Sequence, residues 1–332
     1  MAFWIGVTGF SLLLYVVLDG FDLGVGILTL AVGEEDRRGK MMATLTSVWD
    51  ANETWLILLG GVLFGAFSSV YAAILQGLYI PVTLMLFTLI MRGVALEFRH
   101  NSKRKGLWNW VFGLGSLGAA MSQGIILGAL VQGWPTIDGN YINNGWHWLS
   151  PFSLLTALGV SLGYALMGTG WLVFKTVGPL QEHSYRQGLM LLAGTIAAGA
   201  LIFALTPSHN EHIAALWTGA TALPYLLAGV AVILSAAITL WAYLKRHEYW
   251  PFLGTLLLFT TSFIALIGSL YPYAIYPGIT WDGAASASST LLFMLAGILP
   301  LIPIMLFYNG YQYMVFRGKV DTPEYGGGEE TD

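Results

Sequence analysis

A chain of 332 residues that is 56% hydrophobic and only 10% charged, with a net charge of −4, does not read as a water-soluble domain, because such domains carry about a quarter charged residues. Its mean hydropathy is +0.68. The lack of any cysteine excludes disulfides, iron–sulfur clusters and thiolate metal sites.

Continuous apolar runs of about 18 residues or more are candidates to cross a membrane. Nine can be drawn, at approximately 4–30, 48–69, 71–96, 108–133, 152–174, 187–206, 218–244, 251–270 and 287–316. The opening MAFWIGVTGF has neither a basic n-region nor a small-residue cleavage site, so the first run is expected to be a retained helix. The connections are short, the longest lying near 134–151, and leave no room for a separate soluble domain. Residues 1–316 are therefore expected to form a single transmembrane domain. Residues 317–332, with the acidic, glycine-rich DTPEYGGGEETD, are expected to be a disordered tail. Gly20 with Gly24, and Gly61 with Gly65, have the spacing that lets membrane helices approach closely.

The basic residues set the orientation. Arg37, Arg38 and Lys40 follow the first span, and Arg99, Lys103, Arg104 and Lys105 follow the third. Lys175 and Arg186, then Lys245 and Arg246, occupy later odd-numbered connections, and Arg317 and Lys319 follow the last span. These are all but one of the 14 basic residues, and the exception, Arg92, lies inside the third span. The even-numbered connections hold none. The positive-inside rule then puts the N-terminus outside and the C-terminus in the cytoplasm.

Buried charges can be placed in depth on that orientation. Asp22 falls about 12 Å before the cytoplasmic end of the first helix, and Asp19 one turn deeper on the same face. Asp50 and Glu53, in SVWDANETWLI, open the second helix from the cytoplasmic side and are three residues apart. Arg92, Glu97 and Arg99 close the third. An ionisable group in hydrocarbon costs at least roughly 2.5–3.5 kcal/mol. Such a set is tolerable where the groups face one another, a wet cavity or a partner subunit. Two readings remain open here: a structural network in which Arg92 neutralises Asp22 or Glu53, and a proton path opening to the cytoplasm.

All six histidines (His100, His147, His183, His209, His212 and His247) fall in or beside connections, so no span presents the mid-membrane axial ligand that a haem needs. No phosphate loop, dinucleotide fingerprint or hydrolytic triad is present. Trp108, Trp110, Trp134, Trp146 and Trp148 sit near span ends, as interface anchors do. The basic clusters are ordinary loop charges rather than a nucleic-acid surface.

The motifs resemble one family. DGFDLGVG in the first span, WDANETWLI opening the second and its GGVLFGAFSSVYA continuation are similar to subunit II of cytochrome bd-type quinol oxidases. So are RGVALEFR closing the third span, and YPYAIYP followed by WDGAASASSTL before the ninth. The compact loops look most like the cyanide-insensitive branch. The resemblance implies an all-α integral membrane protein of the bacterial cytoplasmic (inner) membrane, with nine transmembrane helices arranged as two four-helix bundles plus one additional helix. It implies a haem-bearing subunit I as partner, holding haem b and haem d, and a complex that reduces dioxygen to water with quinol, drawing protons from the cytoplasm. A small single-helix accessory subunit, bound membrane lipid and, in some members, a structural quinone in this subunit come with the family. This chain is then a haem-free scaffold, not catalytic alone, that contributes to proton uptake.

Carried onto this sequence, Asp50 matches the family's proton-path carboxylate, Asp22 the second aspartate of DGFD, and Arg99 the basic residue ending the third helix. Trp49 and Asn52 match the polar collar around Asp50. Glu53 stands where the family also accepts glutamine. Asp50, Asp22, Glu53 and Asp19 are thus the proton-path candidates, with Arg99, Arg92, Glu97, Trp49 and Asn52 as the supporting network. The alternative is a proton-coupled secondary transporter, which intramembrane acids and glycine-broken helices also suit. Against it stand the absence of inverted repeats and the placement of the acids near one surface.

Overall fold

The computed structural model describes residues 1–134, 136–137, 140–141, 145–219 and 222–320. Twelve helices follow in order: α1 (Ala2–Thr29), α2 (Glu35–Ala43), α3 (Trp49–Ala66), α4 (Ser68–Gly77), α5 (Tyr79–Asn101), α6 (Lys105–Gln132), α7 (Pro151–Lys175), α8 (Gly178–His209), α9 (Glu211–Thr218), α10 (Leu223–Leu244), α11 (Trp250–Leu270) and α12 (Ser288–Val315). Among the described residues eight are long and apolar enough to cross a membrane; α3 with α4, bent by 115°, passes the same test as a pair and brings the number to nine when the two count as one broken span. The break falls at Phe67 (φ −135°, ψ 55°), a residue that is fully buried. The second and third expected spans therefore meet differently from the sequence reading, because α4 is a separate short helix and α5 begins only at Tyr79.

The helices pack as two groups. In one, α5 lies on α6, and α1 lies on α3 and α6; in the other, α7 lies on α8 and α11, and α10 on α8 and α11. The groups join along α7, which packs on both α6 and α1. There Gly24 and Gly168 meet face to face, and a Cβ on Gly24 would fall 1.8 Å from the Tyr164 carbonyl oxygen. Absent side chains let the two backbones touch, the approach that Gly20 and Gly24 promise. Gly65 packs under Met294 of α12, whereas Gly61 meets nothing within this chain. Helix α12 rests on α3 and is otherwise the most exposed of the long helices.

The basic connections share one face. Arg99 reaches Glu35 of α2, Arg246 pairs with Glu182, and Lys319 pairs with Glu248. Helix α2 forms in a stretch read as loop, with Glu35 and Asp36 in its first turn and Lys40 in its last, charges that suit the helix dipole. Lys175, at the end of α7, donates to the carbonyls of Phe316 (2.5 Å) and Gly318 (2.7 Å). Val320 N–H returns a bond to the Lys175 carbonyl at 2.7 Å. Residues 317–320, the start of the expected tail, are thus fastened to α7, and the rest of that tail lies outside the described residues.

Candidate functional site: a buried acid cluster around one arginine

Helices α1, α3 and α5 bring the intramembrane charges together. Asp19, Asp22 and Arg92 are all fully buried. One Arg92 guanidinium nitrogen, Nη2, lies 2.7 Å from Asp19 Oδ1 and also bonds Glu53 Oε1. Arg92 therefore pairs with Asp19 and Glu53, and Asp22 takes an amide instead: Asn52 Nδ2 donates to Asp22 Oδ2 at 2.8 Å and to the Leu18 carbonyl at 3.3 Å. The Asn52 amide is oriented from its other end by the Tyr313 hydroxyl of α12, which donates to Oδ1 at 2.9 Å. Asp22 Oδ1, Arg92 Nε and Arg92 Nη1 have no hydrogen-bond partner among the described residues.

The cluster opens sideways rather than at an end. Glu53, whose side chain is 26% exposed, lines a groove of about 530 Å³ between α3 and α5. Trp49 and Glu97 share its polar end, and Leu86, Leu89 and Ile90 line the apolar remainder. Trp49 lies over Gly93, where a Cβ would come within 3.1 Å of the indole ring.

The other expected members lie apart. Asp50 is exposed at the first turn of α3, on the basic face. Arg99 belongs to a separate knot in which its Nε donates to Asn109 Oδ1 (2.6 Å) and its Nη2 to Glu35 Oε1 (2.5 Å), while Asn109 Nδ2 donates to Glu35 Oε2 (2.6 Å). That knot ties α2, α5 and α6 together at their basic ends. Tyr313, Asn109 and Glu35 were missed by the sequence reading. A lone amide in an apolar helix could have flagged Asn109, but nothing local marks Tyr313, which lies 261 positions from Asn52. Histidines stay at the periphery: His183 lies in the second turn of α8, His209 in its last turn, and His100 in the last turn of α5. No group of three or more His, Cys, Asp or Glu among the described residues could hold a metal ion.

These features define a multi-pass helical membrane subunit with a buried guanidinium–carboxylate cluster. The profile of the family described as "Cytochrome bd terminal oxidase subunit II" matches residues 1–316, and the chain belongs to that family. It is 29% identical over 323 residues to the Bacillus subtilis (strain 168) cytochrome bd ubiquinol oxidase subunit 2, covering 93% of this chain and 94% of the relative. It is 27% identical over 360 residues to the Escherichia coli (strain K12) cytochrome bd-I ubiquinol oxidase subunit 2, covering 96% and 94%. The solved bd oxidase from Geobacillus thermodenitrificans shares the fold, with a TM-score of 0.74 at 20% identity over 92% of this chain and 96% of that one. The chain is thus part of a quinol oxidase complex that contains haem and a subunit I, and not a member of the transporters kept as the alternative.

Proposed function

We propose that this chain is the haem-free scaffold of a bd-type oxidase in a bacterial inner membrane and carries protons from the cytoplasmic side toward the haems of subunit I, a haem b and haem d set. Its N-terminus lies outside and its C-terminus in the cytoplasm, as the one-sided basic residues favour. The haems supply the oxygen chemistry. The histidines sit toward helix ends and in connections rather than at mid-membrane, which supports a chain that ligates none of them.

The observation that carries the proton role is an excess of acid. Asp19 and Glu53 pair with one guanidinium, Arg92, and Asp22 beside them is held only by an amide, in a setting where an uncompensated charge is expensive. Such a cluster reaches neutrality by holding protons, and the α3–α5 groove gives it a lateral outlet toward a partner. Asp50, exposed on the basic face, stands at the mouth, and Glu97 with Trp49 lines the groove. Apolar α12 and the groove offer surface to subunit I, to a single-helix accessory subunit, to lipid or to a structural quinone. Turnover per haem of the purified complex tests the role. Asp22→Asn and Asp50→Asn are each expected to lower it about tenfold or more with haem content intact, within the range a lost proton-transfer group causes. Full turnover in complexes that assemble poorly would make the acids structural.

A further inference from the structure

Helix α12 is exposed along most of its length, yet its last turn reaches the acid cluster through one side chain. Tyr313 sets the edge of its ring against Trp171 of α7, with 6.1 Å between centroids and 88° between planes. Its hydroxyl donates to Asn52 Oδ1 of α3 at 2.9 Å. The helix end is pinned just beyond it, where Lys175 of α7 holds the carbonyls of Phe316 and Gly318.

The direction of these hydrogen bonds is fixed by what each atom can accept. Asn52 Nδ2 lies 3.3 Å from the Leu18 carbonyl oxygen, which only accepts, and 2.8 Å from Asp22 Oδ2. Turning the amide over would set its oxygen against the Leu18 carbonyl and the carboxylate, three acceptors with no proton between them. Buried groups without partners are disfavoured, so the nitrogen faces Asp22 and Tyr313 is the donor to the oxygen.

Asp22 is left with two unlike oxygens. Oδ2 holds the Asn52 amide, whereas Oδ1 is buried and has no hydrogen-bond partner among the described residues. A carboxylate that gains one proton becomes a neutral acid with one O–H and one carbonyl oxygen. With the amide held on Oδ2, the O–H forms at Oδ1 and Oδ2 becomes the carbonyl. Asn52 then keeps its acceptor in both states.

We propose that Tyr313 is a positioning residue: by holding the Asn52 amide on Asp22 Oδ2, it reserves Oδ1 as the atom that takes and releases the proton. The inference rests on the proton route proposed above and gives α12 a part in it. The charged and titratable groups facing Asp22 are Asp19 on its own helix, Glu53 on α3, Arg92 on α5 and Tyr313 on α12.

Two measurements on the purified complex test it, with Asp22→Asn as the reference. In the infrared difference spectrum between oxidised and reduced complex, the Asp22 carboxyl is the C=O band that Asp22→Asn removes. Tyr313→Phe keeps the ring on Trp171 and deletes only the hydroxyl. Loosening the amide from Oδ2 is expected to move that band to higher wavenumber. Turnover per haem is expected to fall about threefold in the same variant, the size of one lost hydrogen bond. In an Asn52→Leu background, which has no amide to orient, Tyr313→Phe should change neither. An unmoved band in Tyr313→Phe overturns the proposal. So does an equal loss of turnover from Tyr313→Phe with and without the Asn52 amide, or a difference spectrum from which Asp22→Asn removes no band. These outcomes leave the proton route standing wherever Asp22→Asn lowers turnover. Turnover indifferent to Asp22→Asn would remove the route itself, and this inference with it.

Discussion

Arg92 is the residue on which the site turns. It is the one basic residue that falls inside an expected apolar span of the sequence, it is fully buried, and it holds acids from α1 and α3 at once. A buried pair adds little net stability when whole, but removing one partner leaves an uncompensated charge and costs about 3–5 kcal/mol. Arg92→Met is therefore expected to abolish accumulation of the assembled complex, measured as haem co-purifying with this chain. Pairing it with Asp19→Asn removes the stranded charge, and co-purifying haem should return in part. If the single substitution assembles normally, the cluster is not the joint between α1, α3 and α5 that its contacts describe. The charges of this site were legible in the sequence because ionisable residues in apolar runs stand out. Their pairing was not. Asp19 and Asp22 are three residues apart on one face, and only the positions of α3 and α5 decide that the arginine takes Asp19 while an asparagine takes Asp22. Asp50 and Glu53, three residues apart at the start of the second span, separate because α3 starts at Trp49: Asp50 lies in its exposed first turn, and Glu53 one turn further in, beside Arg92.

At the scale of elements, the spans were readable wherever an apolar run ended in polar residues, as α12 shows, with its limits at Ser288 and Val315. The break after Ala66 was not readable, because GVLFGAFSSVYA is apolar on both sides of it and hydropathy carries no information on direction. The polar start of α8, GPLQEHSYR, was left out for the converse reason: a membrane helix continues past the hydrocarbon, held here by the pair of Glu182 with Arg246 at 2.7 Å. The crossing of α1 and α7 allows a sharp test of element packing. A Cβ on Gly24 would sit 1.8 Å from a backbone oxygen, and backbone cannot step aside as a side chain can. Overpacking of this kind costs about 1–3 kcal/mol, so Gly24→Ala is expected to lower the thermal stability of the purified complex. Gly199→Ala on α8, where an added Cβ meets nothing within 4 Å, should leave it unchanged. Equal melting of the two variants would mean that the bundles are not joined through this glycine pair.

At the scale of the whole molecule, the two helix groups leave broad apolar surfaces on α8, α10 and α12, where Phe203, Ile233, Phe293 and Phe307 are among the most exposed large side chains. Surfaces of that size are acceptable in lipid or against another subunit and not in water. Orientation follows from charge. The ends of α1, α5, α7, α10 and α12 lead into connections or a tail that carry the basic residues, and the opposite connections carry none. Ion pairs such as Glu35 with Arg99 and Glu248 with Lys319 bind that face together, so the charge asymmetry is a property of the folded surface and not only of the order of the chain. Translocating such loops would oppose the bias that retains lysine and arginine on the cytoplasmic side. A fluorescent protein fused after Asp332 is accordingly expected to mature and fluoresce, and a phosphatase that needs the oxidising exterior is expected to stay inactive there. Fused in the connection between α8 and α10, the two reporters should exchange their behaviour. Activity of the phosphatase at the C-terminus would invert the molecule, placing Asp50 and the mouth of the proposed proton route on the outer side, where the route could not draw on cytoplasmic protons.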